Sequence, residues 1–371
     1  MHVLAKNGPV HGKRIFGLDV LRALAVLGVL LSHSRYVIPA RFESTIIVFR
    51  GGTLGVELFF VLSGFLIGTI LLSLLPRFNS FITLLHFWQR RWLRTLPNYF
   101  LFFLLNIVVS LLVASQLPDL FPFLLFFQNW LWPHPSFFAE AWSLAIEEWF
   151  YLLFPLCVFL LARILKTNKN ILFVALAFLI LPTIIRVVWA ASGHTNWDED
   201  FRKIVWLRLD AIMYGVIAAW VKREFNLFWQ KARVVLMLVG FCLLLAMTFY
   251  MNRYTLYGNF FAETFLFSIM SFSCALLLPL FDQWTISNEN AITQGIHSLA
   301  LWSYSLYLVN LLVVAIINHL TGGPEALTSY SIVFAWSGYF VVSILISALN
   351  YRYFEKPFME LRERKRKLLT T

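Results

Sequence analysis

Charged residues and cysteines are both scarce in this chain. Only 13% of its 371 residues are Asp, Glu, Lys or Arg, whereas 60% are hydrophobic and the mean hydropathy is +0.75. One water-soluble core of ordinary proportions cannot hide so much apolar surface, so lipid must be part of the solvent. The three cysteines, Cys157, Cys242 and Cys274, lie singly in apolar runs, and their spacing indicates neither a disulfide framework nor a zinc site.

Lys and Arg outnumber Asp and Glu, which gives a formal net charge of +11. In a soluble protein this excess would suggest nucleic acid as a partner. Here the basic residues fall in short segments between apolar runs, which is the pattern that orients membrane helices, so nucleic acid is not expected. The basic segments lie near 13–14, 77–94, 163–169, 222–233 and 362–367. Placing all of them on one side predicts that both termini are cytoplasmic.

Ten apolar runs are long enough to cross roughly 30 Å of hydrocarbon at about 1.5 Å per residue. They lie near 16–33, 54–75, 96–114, 140–162, 171–190, 204–221, 234–250, 260–281, 299–320 and 331–349. The first run carries Asp19 and Arg22 and lacks a small-residue cleavage signature, so we expect it to be retained as a helix. The sequence predicts an all-α, polytopic membrane protein with a single transmembrane domain over residues 1–371.

Segment 117–135 is apolar but contains four prolines, at positions 118, 122, 133 and 135. Counting it as a further span would place the basic segment 163–169 outside. Irregular backbone at membrane depth is tolerated only against protein or water. We therefore expect a re-entrant or interfacial segment here.

The first span carries three polar side chains, Asp19, Arg22 and His33. Arg22 and His33 are 11 residues apart, about three helical turns, so one polar stripe should face the bundle interior. Asp19 and Arg22 are close enough to pair. His33 lies about 16 Å further along the axis and needs another partner.

Later spans carry further ionisable groups, which are costly in lipid and therefore candidates for a site. They are Glu57, Glu147 with Glu148, Arg186, Arg208 and Asp210. A histidine beside a carboxylate is typical of a general base, so His33, Glu57 and Glu147 are predicted to be catalytic. Arg186 or Arg208, with Asp210 close by, is a candidate to stabilise an oxyanion or bind substrate.

Three arginines, Arg90, Arg91 and Arg94, lie with aromatic residues at the cytoplasmic edge of the third span. Guanidinium groups clamp phosphates, so a donor such as coenzyme A would suit this patch. The positive-inside rule and anionic lipid explain the same arginines equally well.

Six strings together resemble the motifs of the acyltransferase 3 family, from about residue 14 to 360. They are GLDVLRALA at 17–25 leading to His33, GVELFFVLSGFLI at 55–67, Phe87 with Arg90 and Arg91 through Pro97 and Tyr99, WSL at 142–144 with Glu147 and the pair at 150–151, SYSLYL at 303–308, and EKP at 355–357. The resemblance implies a ten-helix membrane acyltransferase, commonly an O-acetyltransferase using acetyl-CoA, in which Arg22 and His33 are required.

The chain departs from that family pattern in two ways. Asn310 stands where the family often has a histidine. The chain also shows no fused extracytoplasmic hydrolase-like domain, so we expect it to finish the transfer itself or to pass the acyl group to a separate protein.

The expected reaction moves an acyl group from cytosolic acyl-CoA, without a metal, to a hydroxyl of an exported or membrane-side glycan such as lipopolysaccharide O-antigen. The phosphates of the donor would lie near Arg90, Arg91 and Arg94, and its pantetheine arm would follow Asp19 and Arg22. Two alternatives stay open: a transporter or flippase using the same buried charges, and transfer to an amine. The acceptor, the acyl chain length and the oligomeric state stay undetermined.

Overall fold

The computed structural model describes residues 14–43, 51–75, 80–113, 116–165 and 170–361, which form ten helices of at least 16 residues and no strand. In chain order the helices are α1 (Phe16–His33), α2 (Gly51–Leu74), α3 (Phe81–Leu112), α4 (Ala141–Leu165), α5 (Asn170–Ala191), α6 (Val205–Glu224), α7 (Arg233–Arg253), α8 (Leu266–Phe281), α9 (Ala291–Thr321) and α10 (Ser329–Asn350). Helices dominate because in lipid each backbone polar group must be bonded within its own segment. The predicted all-α class is confirmed.

Eight helices of the described ranges are long and apolar enough to cross a membrane. The other two are α6, which carries Arg208, Asp210 and Lys222, and α8, which has only 16 residues. The predicted count of ten spans is therefore not confirmed, although a helix lies in each predicted region.

The proline-rich segment before α4 is mostly irregular and contains the short helix Phe121–Leu124. Its backbone carbonyls have protein partners: Tyr99 donates to Phe123 at 2.8 Å, and the Trp149 indole donates to Phe126 at 2.9 Å. The segment thus packs on protein, as irregular backbone must in lipid. Its depth in the membrane stays a prediction.

Helices α2 and α6 are in backbone contact. A Cβ atom added to Gly64 would lie 1.9 Å from the carbonyl oxygen of Ile212, and one added to Gly215 would lie 2.0 Å from that of Val61. Only glycine permits such an approach, which is the small-residue packing typical of membrane helices. α2 is consequently the most enclosed of the eight apolar spans. In α2, 67% of an 18-residue apolar stretch is buried, against 11% in the peripheral helix α7.

Helix α1 runs through the interior and connects the two ends of the bundle. At its start Arg14 lies beside Asp19 and His297, and just beyond its last turn Tyr36 accepts a hydrogen bond from Asn318 of α9. We call these the Arg22 end and the His33 end. α1 therefore carries Arg22 and His33 towards opposite ends of the same interior.

Candidate active site

Two cavities occupy the interior of the bundle, and α1 contributes to both. Arg22 lines the first, which we call the Arg22 cavity. His33 lines the second, which we call the His33 cavity. Val56 and Tyr307 line both, so the two cavities meet at these residues. Arg22 and His33 of α1 thus each face one of two adjoining cavities.

The Arg22 cavity gathers three guanidinium groups, from Arg22 on α1 and from Arg91 and Arg94 on α3. Within the described ranges, none of the three forms a salt bridge with a carboxylate. The Arg91 guanidinium lies over the ring of Tyr151, 5.1 Å from its centroid. Three arginines without carboxylate partners make this cavity suited to an anionic group such as a phosphate.

Glu147 also lines the Arg22 cavity. One of its carboxylate oxygens accepts from the Ser63 hydroxyl at 2.9 Å, and the other accepts from Tyr151 at 3.1 Å. Both contacts are to neutral hydroxyls, so the carboxylate is held in place. Its hydrogen bonds run to these residues and not to His33.

His33 is bonded to Asn310 of α9, with 2.5 Å between Nδ1 and the amide oxygen. A carboxylate was predicted as the partner of His33, and the amide of Asn310 occupies that place instead. Glu140, which also lines the His33 cavity, is only 2% exposed and accepts from the backbone N–H of Leu311 at 3.2 Å. Because burial disfavours its charged form, the pKa of Glu140 is raised to about 8.

The His33 cavity also contains a group of paired charges from the π-helical segment Trp197–Arg202. Asp198 accepts from Arg202 at 2.5 Å and lies 2.7 Å from the ammonium of Lys203. Burial alone would raise the pKa of Asp198, but these two cations hold it well below its usual range. The Arg202 guanidinium lies 4.6 Å from the centroid of the Trp142 ring. Cation, carboxylate and aromatic groups therefore share this cavity with His33.

Tyr307 stands between the two cavities. Its hydroxyl is 2.6 Å from the hydroxyl of Ser143, and its ring packs edge-on against Phe59 at 6.2 Å. Both partners line the Arg22 cavity. Tyr307 is therefore, with Val56, part of the boundary between the two cavities.

Four predicted site residues form a buried network that lines neither cavity. Arg186 donates to both carboxylate oxygens of Asp210, at 3.0 and 2.8 Å, and Arg208 pairs with Glu57. All four are at most 1% exposed. Arg186 is further bonded to the carbonyl of Thr264, so its guanidinium is occupied. This network joins α2, α5 and α6, and breaking a buried pair of this kind is strongly destabilising.

The structure differs from two further expectations. Asp19 pairs with Arg14 at 2.6 Å and with His297 at 2.7 Å, and not with Arg22. Arg22 is thereby left facing the cavity. Arg90 is exposed and does not line the Arg22 cavity, unlike Arg91 and Arg94.

Sequence reasoning missed several residues of the His33 cavity. Glu140 stands two residues before the WSL string. A carboxylate so close to the start of an apolar helix could have been predicted as a site residue. Asp198 and Arg202, four apart in a loop, carried only the signal of a local charge pair. Asn310 was noted as a departure from the family pattern, but nothing in the sequence paired it with His33, from which 277 residues separate it. No group of three or more His, Cys, Asp or Glu able to hold a metal occurs within the described residues.

The apolar helices, with charged side chains gathered around an interior pair of cavities, define a polytopic membrane protein whose site is enclosed by the bundle. The chain belongs to the acyltransferase 3 family, because the family model described as "Acyltransferase domain" matches residues 15–352. The resemblance stated from the motifs is confirmed.

Relatives of this chain include the O-acetyltransferase OatA of Staphylococcus aureus, from strains NCTC 8325 / PS 47 and COL. Each is 28% identical over 379 residues, an alignment that covers 92% of this chain and 56% of the relative. The chain thus spans little more than half the length of these relatives. No solved structure matches the chain.

Proposed function

We propose that this membrane acyltransferase moves an acetyl or other acyl group from acyl-CoA, bound at the Arg22 end, to a hydroxyl of an exported or membrane-side glycan at the His33 end. The observation that carries the proposal is the meeting of two cavities at Val56 and Tyr307. Within the described residues, the arginines of one cavity form no salt bridge, and the other cavity is lined by a histidine. Such an arrangement suits an anionic donor on one side and a proton-accepting centre on the other.

The donor is acyl-CoA, with its phosphates near Arg22, Arg91 and Arg94. Phosphate oxygens match the planar fork of a guanidinium, and these three side chains line one cavity. From Arg22 to His33 the axis of α1 advances about 16 Å, which the extended pantetheine arm would bridge. The name of the relatives, O-acetyltransferase, favours an acetyl group.

In the proposed step His33 takes the proton of the acceptor hydroxyl, and the resulting oxygen nucleophile attacks the thioester carbonyl. The new C–O bond forms, the C–S bond breaks, and the imidazolium returns the proton to the leaving thiolate, which departs as the coenzyme A thiol. Arg202 lines the same cavity as His33 and is better placed to stabilise the oxyanion than Arg186 or Arg208, which lie in the buried network.

The acceptor side suits a carbohydrate. Aromatic side chains line the His33 cavity beside charged groups, which offers both stacking faces and hydrogen-bonding partners for a sugar. They include Trp142, Trp197, Tyr254 and Tyr257. The acceptor is a surface glycan such as lipopolysaccharide O-antigen. The Arg22 end is cytoplasmic and the membrane is the bacterial inner membrane, in keeping with the arginines Arg22, Arg91 and Arg94 at that end.

The test compares surface glycans from cells expressing the wild type, His33→Gln or His319→Gln. His319 is exposed near the end of α9 and serves as the matched control. Mass spectrometry is expected to show an acetyl-sized increment with the wild type and the control. Loss of general base catalysis, on the order of 10²–10⁴-fold, should remove it in His33→Gln.

Two further measurements distinguish the alternative functions. Mild base removes an O-linked acetyl group, whereas an amide survives, so a base-stable increment would favour an amine acceptor. Purified His33→Gln protein should still be stabilised against heat by coenzyme A. Full glycan modification by His33→Gln would refute the proposed role of His33. A wild-type protein without coenzyme A binding or glycan modification would favour the transporter alternative.

A further inference from the structure

The interaction between His33 and Asn310 determines which ring nitrogen of the histidine carries the proton. Asn310 is fully buried in α9, and its amide oxygen lies 2.5 Å from Nδ1 of His33. This contact joins two helices across the interior. It is also the hydrogen bond that orients the imidazole in the His33 cavity.

The orientation of the Asn310 amide follows from its other partners. Its Nδ2 group donates to the backbone carbonyls of Leu306 at 3.1 Å and Tyr307 at 2.6 Å. Carbonyl oxygens only accept, so the NH₂ group must face them and the amide oxygen must face His33. That oxygen also only accepts. The proton in the contact therefore belongs to Nδ1 of His33.

A neutral imidazole with its proton on Nδ1 has its lone pair on Nε2. Within the described part of the chain, Nε2 forms no hydrogen bond, while the His33 side chain lines the His33 cavity. We propose that Asn310 is a positioning residue, which holds His33 in the Nδ1–H tautomer so that Nε2 is the proton acceptor for the acceptor hydroxyl. This inference rests on the proposed function of His33.

An amide in this position differs from the carboxylate of a catalytic triad. A carboxylate orients the histidine and also stabilises the imidazolium once the proton has been taken. A neutral amide supplies the orientation without a full opposing charge. Proton transfer from the imidazolium to the leaving thiolate is then not opposed by a strong ion pair. The inference therefore concerns geometry and tautomer.

The first measurement needs no substitution at position 310. In nitrogen NMR of histidine-labelled wild-type protein, the His33 signal is assigned as the one absent from His33→Gln. The expected state is a proton on Nδ1 and a bare Nε2. A wild-type His33 protonated on Nε2 would overturn the inference, whether or not any substitution at position 310 folds.

The second measurement compares Asn310→Leu, Asn310→Asp and Asn106→Leu in coenzyme A thiol release from acetyl-CoA, with a glycan extract of the host as acceptor. Asn310→Leu removes the acceptor for Nδ1–H, so kcat should fall about 10²-fold at unchanged KM for acetyl-CoA. Asn310→Asp keeps an oxygen at the same place, with its other oxygen protonated towards Tyr307, and should recover most of the rate. Asn106 donates to Phe102 at 2.8 Å, lines neither cavity and serves as the matched control.

The outcomes separate this inference from the proposed function. Wild-type kcat in a folded Asn310→Leu protein would refute the positioning role and leave the role of His33 intact. Full activity of His33→Gln would refute the proposed function itself. A fall in kcat for Asn310→Leu at unchanged KM for acetyl-CoA, with rescue by Asn310→Asp and no change in Asn106→Leu, supports the inference, because a partly unfolded protein would lose donor binding as well.

Discussion

Three arginines that are neighbours in the sequence have different surroundings in the structure. Arg91 and Arg94 line the Arg22 cavity, while Arg90 is exposed outside it. The sequence offered two explanations for the cluster, namely donor binding and contact with anionic lipid. Arg91 and Arg94 are therefore the candidates for donor binding, and the exposed Arg90 is the candidate for contact with anionic lipid.

We predict that Arg94→Gln weakens coenzyme A binding far more than Arg90→Gln. A hydrogen bond to a charged group contributes about 1.5–3 kcal/mol, so loss of the Arg94 guanidinium should raise the Kd for coenzyme A about 10- to 100-fold. The measurement is the thermal stabilisation of the purified protein as a function of coenzyme A concentration. Equal losses in both variants would show that the arginines act as one surface patch.

The sequence predicted the cavity-facing residues of α1 better than it predicted their hydrogen-bond partners. Arg22 and His33 were found because their helical spacing places both on the interior face of one helix. Their partners were not found, because hydrogen bonds between distant helices leave no periodicity in the sequence. Asn310 is therefore visible as the partner of His33 only in the structure.

At the scale of the helices, close packing of α2 on α6 determines where the site residues lie. α2 carries Val56 and Ser63 to the Arg22 cavity, while α6 holds Glu57 of α2 through Arg208. The glycines that allow this approach therefore matter for the site without contacting a substrate.

We predict that Gly64→Ala destabilises the protein and that Gly338→Ala does not. The new Cβ at position 64 would lie 1.9 Å from the carbonyl oxygen of Ile212, so the helices must separate, at a cost of about 1–3 kcal/mol or more. Gly338 lies in α10 with nothing within 4 Å of an added Cβ, so alanine there is neutral or stabilising, by up to about 1 kcal/mol. Thermal unfolding in detergent compares the two. Similar unfolding midpoints would show that the contact between α2 and α6 is not tight in solution.

Helix boundaries were predictable where apolar runs and helices coincide. The run near 16–33 matches α1 residue for residue, whereas α3 begins at residue 81 instead of 96 and α9 at 291 instead of 299. Both helices extend beyond their apolar runs through polar turns, which hydropathy does not register as part of a span. The extension of α3 carries Arg91 and Arg94, so part of the lining of the Arg22 cavity lies outside the predicted span.

The molecule as a whole has the proposed donor and acceptor sites at opposite ends of one bundle. The fold class followed from composition and from the long unbroken apolar runs, which indicate membrane-spanning helices and not the shorter alternating strands of a β-barrel. The adjacency of the two cavities did not follow, since it depends on side chains from α1, α2, α4 and α9 meeting in space. The proposed reaction therefore requires a defined orientation of the bundle, which is testable independently of activity.

We predict that the two ends of α7 lie on opposite sides of the membrane, with Gln230 cytoplasmic and Asn252 outside. α7 has 21 residues, about 30 Å at the helical rise, and both positions are exposed. Single cysteines at 230 or 252, in a chain whose three native cysteines are replaced, are treated with a membrane-impermeant maleimide in spheroplasts. Position 252 should react directly, and position 230 only after permeabilisation. The reverse pattern would place the Arg22 cavity outside, where acyl-CoA is not supplied, and reaction at both positions without permeabilisation would show that α7 does not span the membrane.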